Sequence, residues 1–560
     1  MTHLHIALFI SLLTLTACGG STNTTNINED TPASSNPVET PEQKEPTDKP
    51  EPATPEPEPE KPILPKTPDA VINKKQSKWE GPYKMPLVAS AAANLPDGRI
   101  LAWSAYAKLK FHYGDVGVGK TYTAIFDPKT HESSEGLVSN TEHDMFCPGT
   151  AILEDGRIMV TGGSSDRQTS IYDLTSDDWV KGPKMNTPRA YHSMTPLADG
   201  SIFTLGGSWG FDTNPNTPKP GNKNGEVWRQ DVGWTSKPNI KANQLSTKDK
   251  KGLYRADNHM WMFTAPNGLV FHAGPAKQMH WIDTADDGSV TQSIRRGNDA
   301  DSMDGNAVMY DIGKILTLGG SPDYDDSDAT KNAHVIDISK GKGKVSVKKV
   351  ADMHHARAFN NSVVLPSGEV VVTGGQAHAI IFTDTTSAYN AEIWNPTTEK
   401  FTELAAMKVP RNYHSVSLLM KDGRIFVAGG GLCGTCKTNH PDAEIFTPPY
   451  LLTVDGKPAI RPVIKSAPSI ARPGDTINVS VDTSGLHSFA LTRMSAATHA
   501  VNNDERRIPL AIATSEQNSG KYSLKIPDNT AIVLPGNYFL FALNKNGVPS
   551  IAKVINIRDY

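Results

Sequence analysis

Five residues carry the chemistry of this chain: Cys147, Tyr191, Tyr413, His414 and His499. They sit in the short strings HDMFCPG, RAYHS, RNYHS and ATHAVN. Together they offer two imidazoles and two phenols to one metal ion, plus a thiol able to modify a phenol. Imidazole nitrogen with oxygen donors in a tetragonal set suits Cu(II). One copper ion carries one electron, whereas oxidation of an alcohol removes two. A phenol made easier to oxidise supplies the second. The set therefore points to redox chemistry and not to a purely structural metal.

Residues so far apart need a scaffold that returns to one place many times. From about Trp79 to Tyr450 a glycine-containing turn followed by an apolar strand recurs: DGRILAWSA, DGRIMVTGG, DGSIFTLGG, NGLVFHAGP, IGKILTLGG, SGEVVVTGG and DGRIFVAGG. The runs are β-branched and apolar, as buried central strands are. Glycine pairs after such runs, at a period near 50 residues, mark kelch-type blades. Seven repeats predict a seven-bladed β-propeller over residues 76–455. Beyond PYLLTVDGKPAIRP the glycine period stops. Short alternating runs over 456–560 predict an immunoglobulin-like β-sandwich. The fold class is thus all-β. His499 falls in the second domain, so a loop around Ala496–Asn502 must enter the propeller channel, and the propeller alone should bind copper poorly.

The N-terminus reads as an export signal. An apolar run, Ile6 to Leu15, ends in Leu15-Thr16-Ala17-Cys18, which looks like a bacterial lipobox over residues 1–18. Cys18 would be lipidated, and several acyl chains give stable anchoring. Gly19 after the cysteine favours the outer membrane, by resemblance to lipoproteins of Gram-negative bacteria. Residues 19–75 are rich in Pro, Glu and Lys and have little to bury, so a semi-extended tether is expected.

Composition bounds the rest. The chain has 560 residues and a formal net charge of -4, which gives no sign of a nucleic-acid partner. Mean hydropathy of -0.41 excludes a polytopic membrane protein. Four cysteines are too few for a disulfide scaffold. Cys433 and Cys436, in GLCGTC, suit a short disulfide in an exported protein, a redox pair or half a metal site. No Rossmann fingerprint or P-loop lies in a strand-turn-helix context.

Longer strings carry a family resemblance: HDMFCPG, GGSW, KGLYRADNHMW, GNAVMYD, GGSPDYDDSDATKNAH, GGGLCGTC and ATHAVNNDERRIPL. From about Lys75 to the C-terminus the chain strongly resembles galactose oxidase and its copper-radical relatives. The resemblance implies one copper ion held by Tyr191, Tyr413, His414 and His499. It implies a self-made thioether between Cys147 and Tyr191, with Tyr191 as radical site. Tyr413 would be the axial phenolate and the base, and Trp209 would stack over the thioether. Asp249, Tyr254, Arg255, Tyr324 and Phe382 would line the substrate pocket, and Cys433–Cys436 would be a disulfide.

Two positions depart from the family. Lys251 and Asp325 stand where glutamines are found, so charges replace neutral amides at the mouth. The loop KLKFHYGDVGVGKTY aligns poorly and offers Phe111 or Tyr113 as a second aromatic wall. The implied activity is oxidation of a primary alcohol, a galactose-like sugar or other polyol, to the aldehyde, with O2 reduced to hydrogen peroxide. A glyoxal-type aldehyde oxidase, or a cell-surface kelch module binding glycans with a vestigial site, are the alternatives. A monomer is expected.

Overall fold

The computed structural model describes residues 76–111, 119–209, 223–482, 488–516 and 519–558. Cys18, the linker and Tyr113 lie outside the described residues. Six four-stranded antiparallel sheets, and a seventh that carries an inserted fifth strand, form the blades of a propeller, numbered in chain order by their inner strands Ala91–Asn94, Gly149–Ile152, Ser193–Pro196, Trp261–Thr264, Asn306–Asp311, Ala358–Val364 and Ser415–Leu419. Blade 2, for example, runs Gly149–Ile152, Ile158–Thr161, Thr169–Asp173 and Asp178–Lys181. Each glycine-turn repeat of the sequence supplies the second strand of a blade. Second strands such as Ile100–Trp103, Ile158–Thr161 and Ile425–Gly429 are buried at every residue, which is why they read as apolar runs. Outer strands such as Glu132–Val138 are largely exposed and polar.

The ring is closed by the start of the domain. Lys78–Lys84 pairs with Asp442–Thr447, with Trp79 opposite Phe446, and becomes the outer strand of blade 7. Closure in this way joins the first and last blades and protects their edges.

Three blades share a buried ion pair. Arg189 meets Glu226 at 2.8 Å, Arg357 meets Glu392 at 2.9 Å and Arg411 meets Glu444 at 3.4 Å, with every side chain at most 1 % exposed. Each arginine also donates to a glycine-pair carbonyl: Gly206, Gly374 and Gly429. These bonds tie the loop before an inner strand to the second and third strands of its own blade.

The C-terminal strands form one curled eight-stranded sheet. Its long strand Arg507–Glu516 pairs with Ser488–Arg493 on one side and Lys521–Lys525 on the other. The sheet folds over a core that includes Phe489, Leu491, Tyr522, Tyr538 and Leu540.

The segment between Ala496 and Arg507 leaves this domain and enters the propeller channel. Ala496–Thr498 pairs with the inner strand of blade 1. His499 N–H donates to Ser90 O beside that strand at 3.4 Å, and Ala500 N–H to Ser415 O of blade 7 at 3.1 Å. Asp504 accepts Ile152 N–H of blade 2 at 2.7 Å. Asn503 donates to Met194 O of blade 3 at 3.2 Å and accepts Met262 N–H of blade 4 at 3.2 Å. Asn306 of blade 5 donates to Ala500 O, and Val364 N–H of blade 6 to Glu505 at 3.4 Å. One short polar segment therefore satisfies inner-strand groups of all seven blades. Buried backbone groups demand such partners.

Candidate metal centre

The site is built from one repeated backbone position. At or just before the start of the innermost strand, five blades each hold one residue in the left-handed region. These are Cys147 (φ 57°), Tyr191 (55°), Asp304 (57°), Phe359 (60°) and His414 (68°). His499, on the inserted segment, joins them at φ 50°. Non-glycine residues rarely sit here, and such strain gathers at functional sites where surrounding structure enforces it. The buried arginines enforce it at Tyr191, Phe359 and His414. Glycine enforces it as well: a Cβ on Gly207 would lie 2.6 Å from Ala190 O, so only glycine lets the Tyr191 loop approach.

The five residues proposed from sequence converge and are all buried. The Tyr191 and Tyr413 hydroxyls lie 3.0 Å apart. The His414 and His499 rings are 4.5 Å apart at 75°. Cys147 Sγ and one nitrogen from each histidine all lie within 4.8 Å of one another. The thiol of Cys147 is hydrogen-bonded to the Tyr191 side chain.

Each imidazole is held through Nδ1: His414 donates to Gly431 O at 2.5 Å, and His499 bonds the Thr498 hydroxyl at 2.7 Å. Each Nε2 is buried with no hydrogen-bond partner. Burial lowers His414 to about 3 and His499 well below its ordinary value, so both are neutral. Burial likewise raises Tyr191 and Tyr413 well above the usual phenol range. Two neutral imidazoles with orphaned Nε2 atoms, beside two phenols that need a cation to ionise, fit a copper ion.

An aromatic shell surrounds this centre. The Trp209 ring packs on Tyr191 at 4.8 Å, steeply inclined at 63° and not parallel to it. Phe382 lies 5.4 Å from Tyr413 and 5.7 Å from Phe111, which stacks on Phe146 at 4.5 Å. Phe111 of the poorly matching loop thus reaches the centre. Tyr324 donates its hydroxyl to Tyr413 at 2.5 Å.

The remaining sequence candidates are arranged unevenly. Asp249 accepts Lys251 N–H at 2.7 Å and Tyr324 N–H at 2.6 Å, so its carboxylate positions two loops. The Tyr254 side chain packs with the core of blades 3 and 4, while its carbonyl accepts Trp209 N–H at 3.1 Å. Arg255 is exposed, and its guanidinium forms no ion pair among the described residues. Cys433 and Cys436 form a disulfide next to Leu432, which packs in the aromatic shell.

Sequence reasoning missed three features. Asp304 occupies the blade-5 position equivalent to Cys147 and Tyr191, and one of its oxygens is buried without a partner. Its signal was register: Asp304 precedes Asn306 by the same two residues that separate Tyr191 from Ser193. His259, bonded to Asp257 at 2.5 Å, lies 5.7 Å from the Tyr191 ring. The Arg–Glu pairs were visible as the Arg of RAYHS, RAFN and RNYHS and the Glu of EVW, AEIW and AEIF.

Comparison with known proteins agrees with this geometry. Residues 461–557 match the family model described as "Galactose oxidase-like, Early set domain", and residues 313–450 match "Glyoxal oxidase N-terminus". A galactose oxidase of Gibberella zeae is 44 % identical over 492 residues, covering 86 % of this chain and 70 % of the relative. An aldehyde oxidase of Vitis pseudoreticulata is 25 % identical over 451 residues, 74 % of this chain and 82 % of the relative. A solved fungal alcohol oxidase of the AA5 family, in complex with copper, superposes with a TM-score of 0.80 at 39 % identity. That match spans 86 % of this chain and 99 % of the other. The chain belongs to the galactose oxidase family and is a copper-dependent alcohol oxidase.

Proposed function

We propose that this oxidase works through a Cys147–Tyr191 thioether and a radical on Tyr191, and that its substrate is a primary alcohol of the polyol class. The observation that supports it most is the convergence of the buried thiol, two phenols and two orphaned Nε2 atoms on one point of the channel.

Copper held by Tyr191, Tyr413, His414 and His499 would supply Lewis acidity and one electron equivalent. The protein residues do the rest. Tyr413 takes the proton of the substrate hydroxyl. Its oxygen lies 3.0 Å from that of Tyr191, so one bound carbinol can reach both. Tyr191, as a phenoxyl radical eased by the ortho sulfur, takes the hydrogen atom from the carbinol carbon. The aldehyde leaves once the remaining electron passes to the one-electron capacity that copper would supply, and O2 takes the two electrons and the two protons as hydrogen peroxide. Trp209 and Phe382 keep water from the radical.

An aldehyde hydrate is a geminal diol and could use the same groups. The match of residues 313–450 to a glyoxal oxidase model keeps that second reading open to assay. Export with a lipid anchor on Cys18, a tether over 19–75 and a monomeric state complete the proposal.

Peptide mapping of the copper-treated protein tests it. Fragments holding Cys147 and Tyr191 should appear joined and lighter by two hydrogens. Separate fragments after copper and O2, with oxidase activity intact, would overturn the thioether.

A further inference from the structure

The four most exposed large apolar side chains among the described residues are Ile460 (88 %), Val454 (74 %), Val232 (70 %) and Ile551 (58 %). All four lie at the end of the molecule away from the metal centre. The inner strand of blade 7 begins beside the centre, just after His414, and runs to Leu419. The turn 421–424 that follows is therefore at the far end. Tyr450 donates its hydroxyl to Gly423 O in that turn, and Ala552 N–H donates to Lys421 O at 2.9 Å. Val232 follows the third strand of blade 3, Gly225–Arg229, at the same end.

Three of the four gather where blade 7 meets the C-terminal sheet. Val454 tips a hairpin closed by Thr453 N–H on Lys457 O at 2.7 Å. Ala459 N–H returns to Leu451 O at 2.9 Å, which sets Ile460 beside the Tyr450 turn. Arg461 donates to Pro549 O at 2.8 Å and to Ser550 O at 2.6 Å, which brings Ile551 to the same junction. Apolar residues scattered singly need no explanation, but a group of them on one exposed face marks an interaction surface.

The charges around the group are basic. Lys545 sits in the turn whose Asn544 donates to Ile460 O at 3.3 Å, and Lys553 is two residues beyond Ile551. Burial lowers the Lys421 ammonium, and nearby Lys129 and Lys553 add to the effect. Lys129, Lys545 and Lys553 are exposed and form no ion pair among the described residues. The acids beside them are already paired: Asp97 with Arg99 at 2.5 Å, Asp422 with Arg424 at 2.8 Å and Asp455 with Lys457 at 2.9 Å. The chain also joins the fold here. Lys78 lies opposite Thr447, three residues before Tyr450. The 75 residues ahead of Gln76, Cys18 among them, are thus attached at the end that carries the apolar group.

We propose that this end is a docking face for an anionic lipid bilayer, with Val454, Ile460 and Ile551 entering the interface and Lys421, Lys545 and Lys553 meeting the headgroups. The proposal rests on the reading of Cys18 as a lipid anchor, which keeps a bilayer within reach. Apolar side chains and lysines act together at such a surface, and neither suffices alone. Docking by this end turns the metal centre away from the lipid, so that soluble alcohols and O2 reach it freely.

The test uses copper-loaded residues 19–560, which keep every described residue and lack the leader and the lipid. Vesicles of equal parts phosphatidylglycerol and phosphatidylcholine should bind it roughly tenfold more tightly than phosphatidylcholine alone. About 0.5 M NaCl should release most of it. Ile460→Ser with Ile551→Ser, and separately Lys545→Glu with Lys553→Glu, should each weaken binding about tenfold. Oxidase turnover and melting temperature should not change. Ile294→Ser, an exposed site on the outer strand of blade 4, should bind as wild type does. Equal binding to both vesicle types, or equal binding by both double variants and the wild type, overturns the proposal. So does a dimer that Ile460→Ser with Ile551→Ser abolishes while no vesicle binds, which gives the face to a second copy. Acylation of Cys18 is read separately, from the mass of the N-terminal peptide of the cell-made protein. An unmodified Cys18 beside intact vesicle binding removes the anchor and leaves the docking face standing.

Discussion

Tyr324 gives its hydroxyl proton to the oxygen of Tyr413 at 2.5 Å, with both phenols buried. The same Tyr413 oxygen lies 3.0 Å from that of Tyr191. A donor aimed at a phenolate stabilises it and fixes its direction, and hydrogen bonds to charged groups contribute about 1.5–3 kcal/mol. Tyr324→Phe should therefore lower turnover roughly tenfold to a hundredfold. Copper content should stay at the wild-type level, because Tyr324 is not among the proposed ligands. Oxygen uptake measured beside metal content checks this. Unchanged turnover would remove Tyr324 from the reaction.

Cys147 lets the proposed radical be tested apart from the proposed metal set. Its thiol is buried, bonded to Tyr191, and raised by burial well above the ordinary thiol range. Two imidazoles and two phenols suffice for copper without it. Cys147→Ala should keep copper near one per chain and lose most oxidase activity. Full activity in that variant would sink the radical on Tyr191.

Much of this arrangement could be read in the sequence, and the unread part has a common cause. The seven glycine turns are local signals, each set by its own strand, so the blade count was legible. Cys147, Tyr191, Tyr413, His414 and His499 lie in strings distinctive enough to be matched singly. Lys251 and Asp325 were visible as two charges, but not as a pair, because they belong to different blades. The reach of residues 496–505 into every blade was hidden for the same reason. Most of their bonds run to inner-strand backbone groups that carry no sequence signal. The tilt of Trp209 against Tyr191 depends on packing and was not legible either.

Glu505 makes the inserted segment sensitive to alkali. It is buried in the channel, accepts Val364 N–H at 3.4 Å, and leaves its other oxygen without a partner. Burial raises it from an ordinary value of 4.5 to about 8. The folded state therefore holds a proton that the unfolded chain has already released. This contribution is fully present below 4.5 and declines until the pH passes about 8. Thermal stability should fall between neutral pH and pH ~9.5, and Glu505→Gln should flatten that fall. Melting curves of both proteins across this range decide it. An equal slope in the variant would assign the loss elsewhere.

Arg411 couples the stability of blade 7 to the proposed metal ligands two and three residues after it. Its guanidinium is buried and bonds Gly429 O, Asp442 and Glu444. Glu444 also accepts Lys408 N–H at 2.9 Å and Val409 N–H at 3.2 Å, so the loop leading to Tyr413 hangs on this pair. Removing one partner of a buried pair costs roughly 3–5 kcal/mol, because the other charge stays buried alone. Arg411→Met should lower the melting temperature by several degrees and weaken copper binding, since His414 loses its enforced left-handed backbone. Glu444→Gln keeps an acceptor for Arg411 and for the loop, and should cost less on both counts. Chemical denaturation and copper titration of the two variants test the coupling. If Arg411→Met loses stability but binds copper as tightly as wild type, the ion pair serves the blade and not the centre.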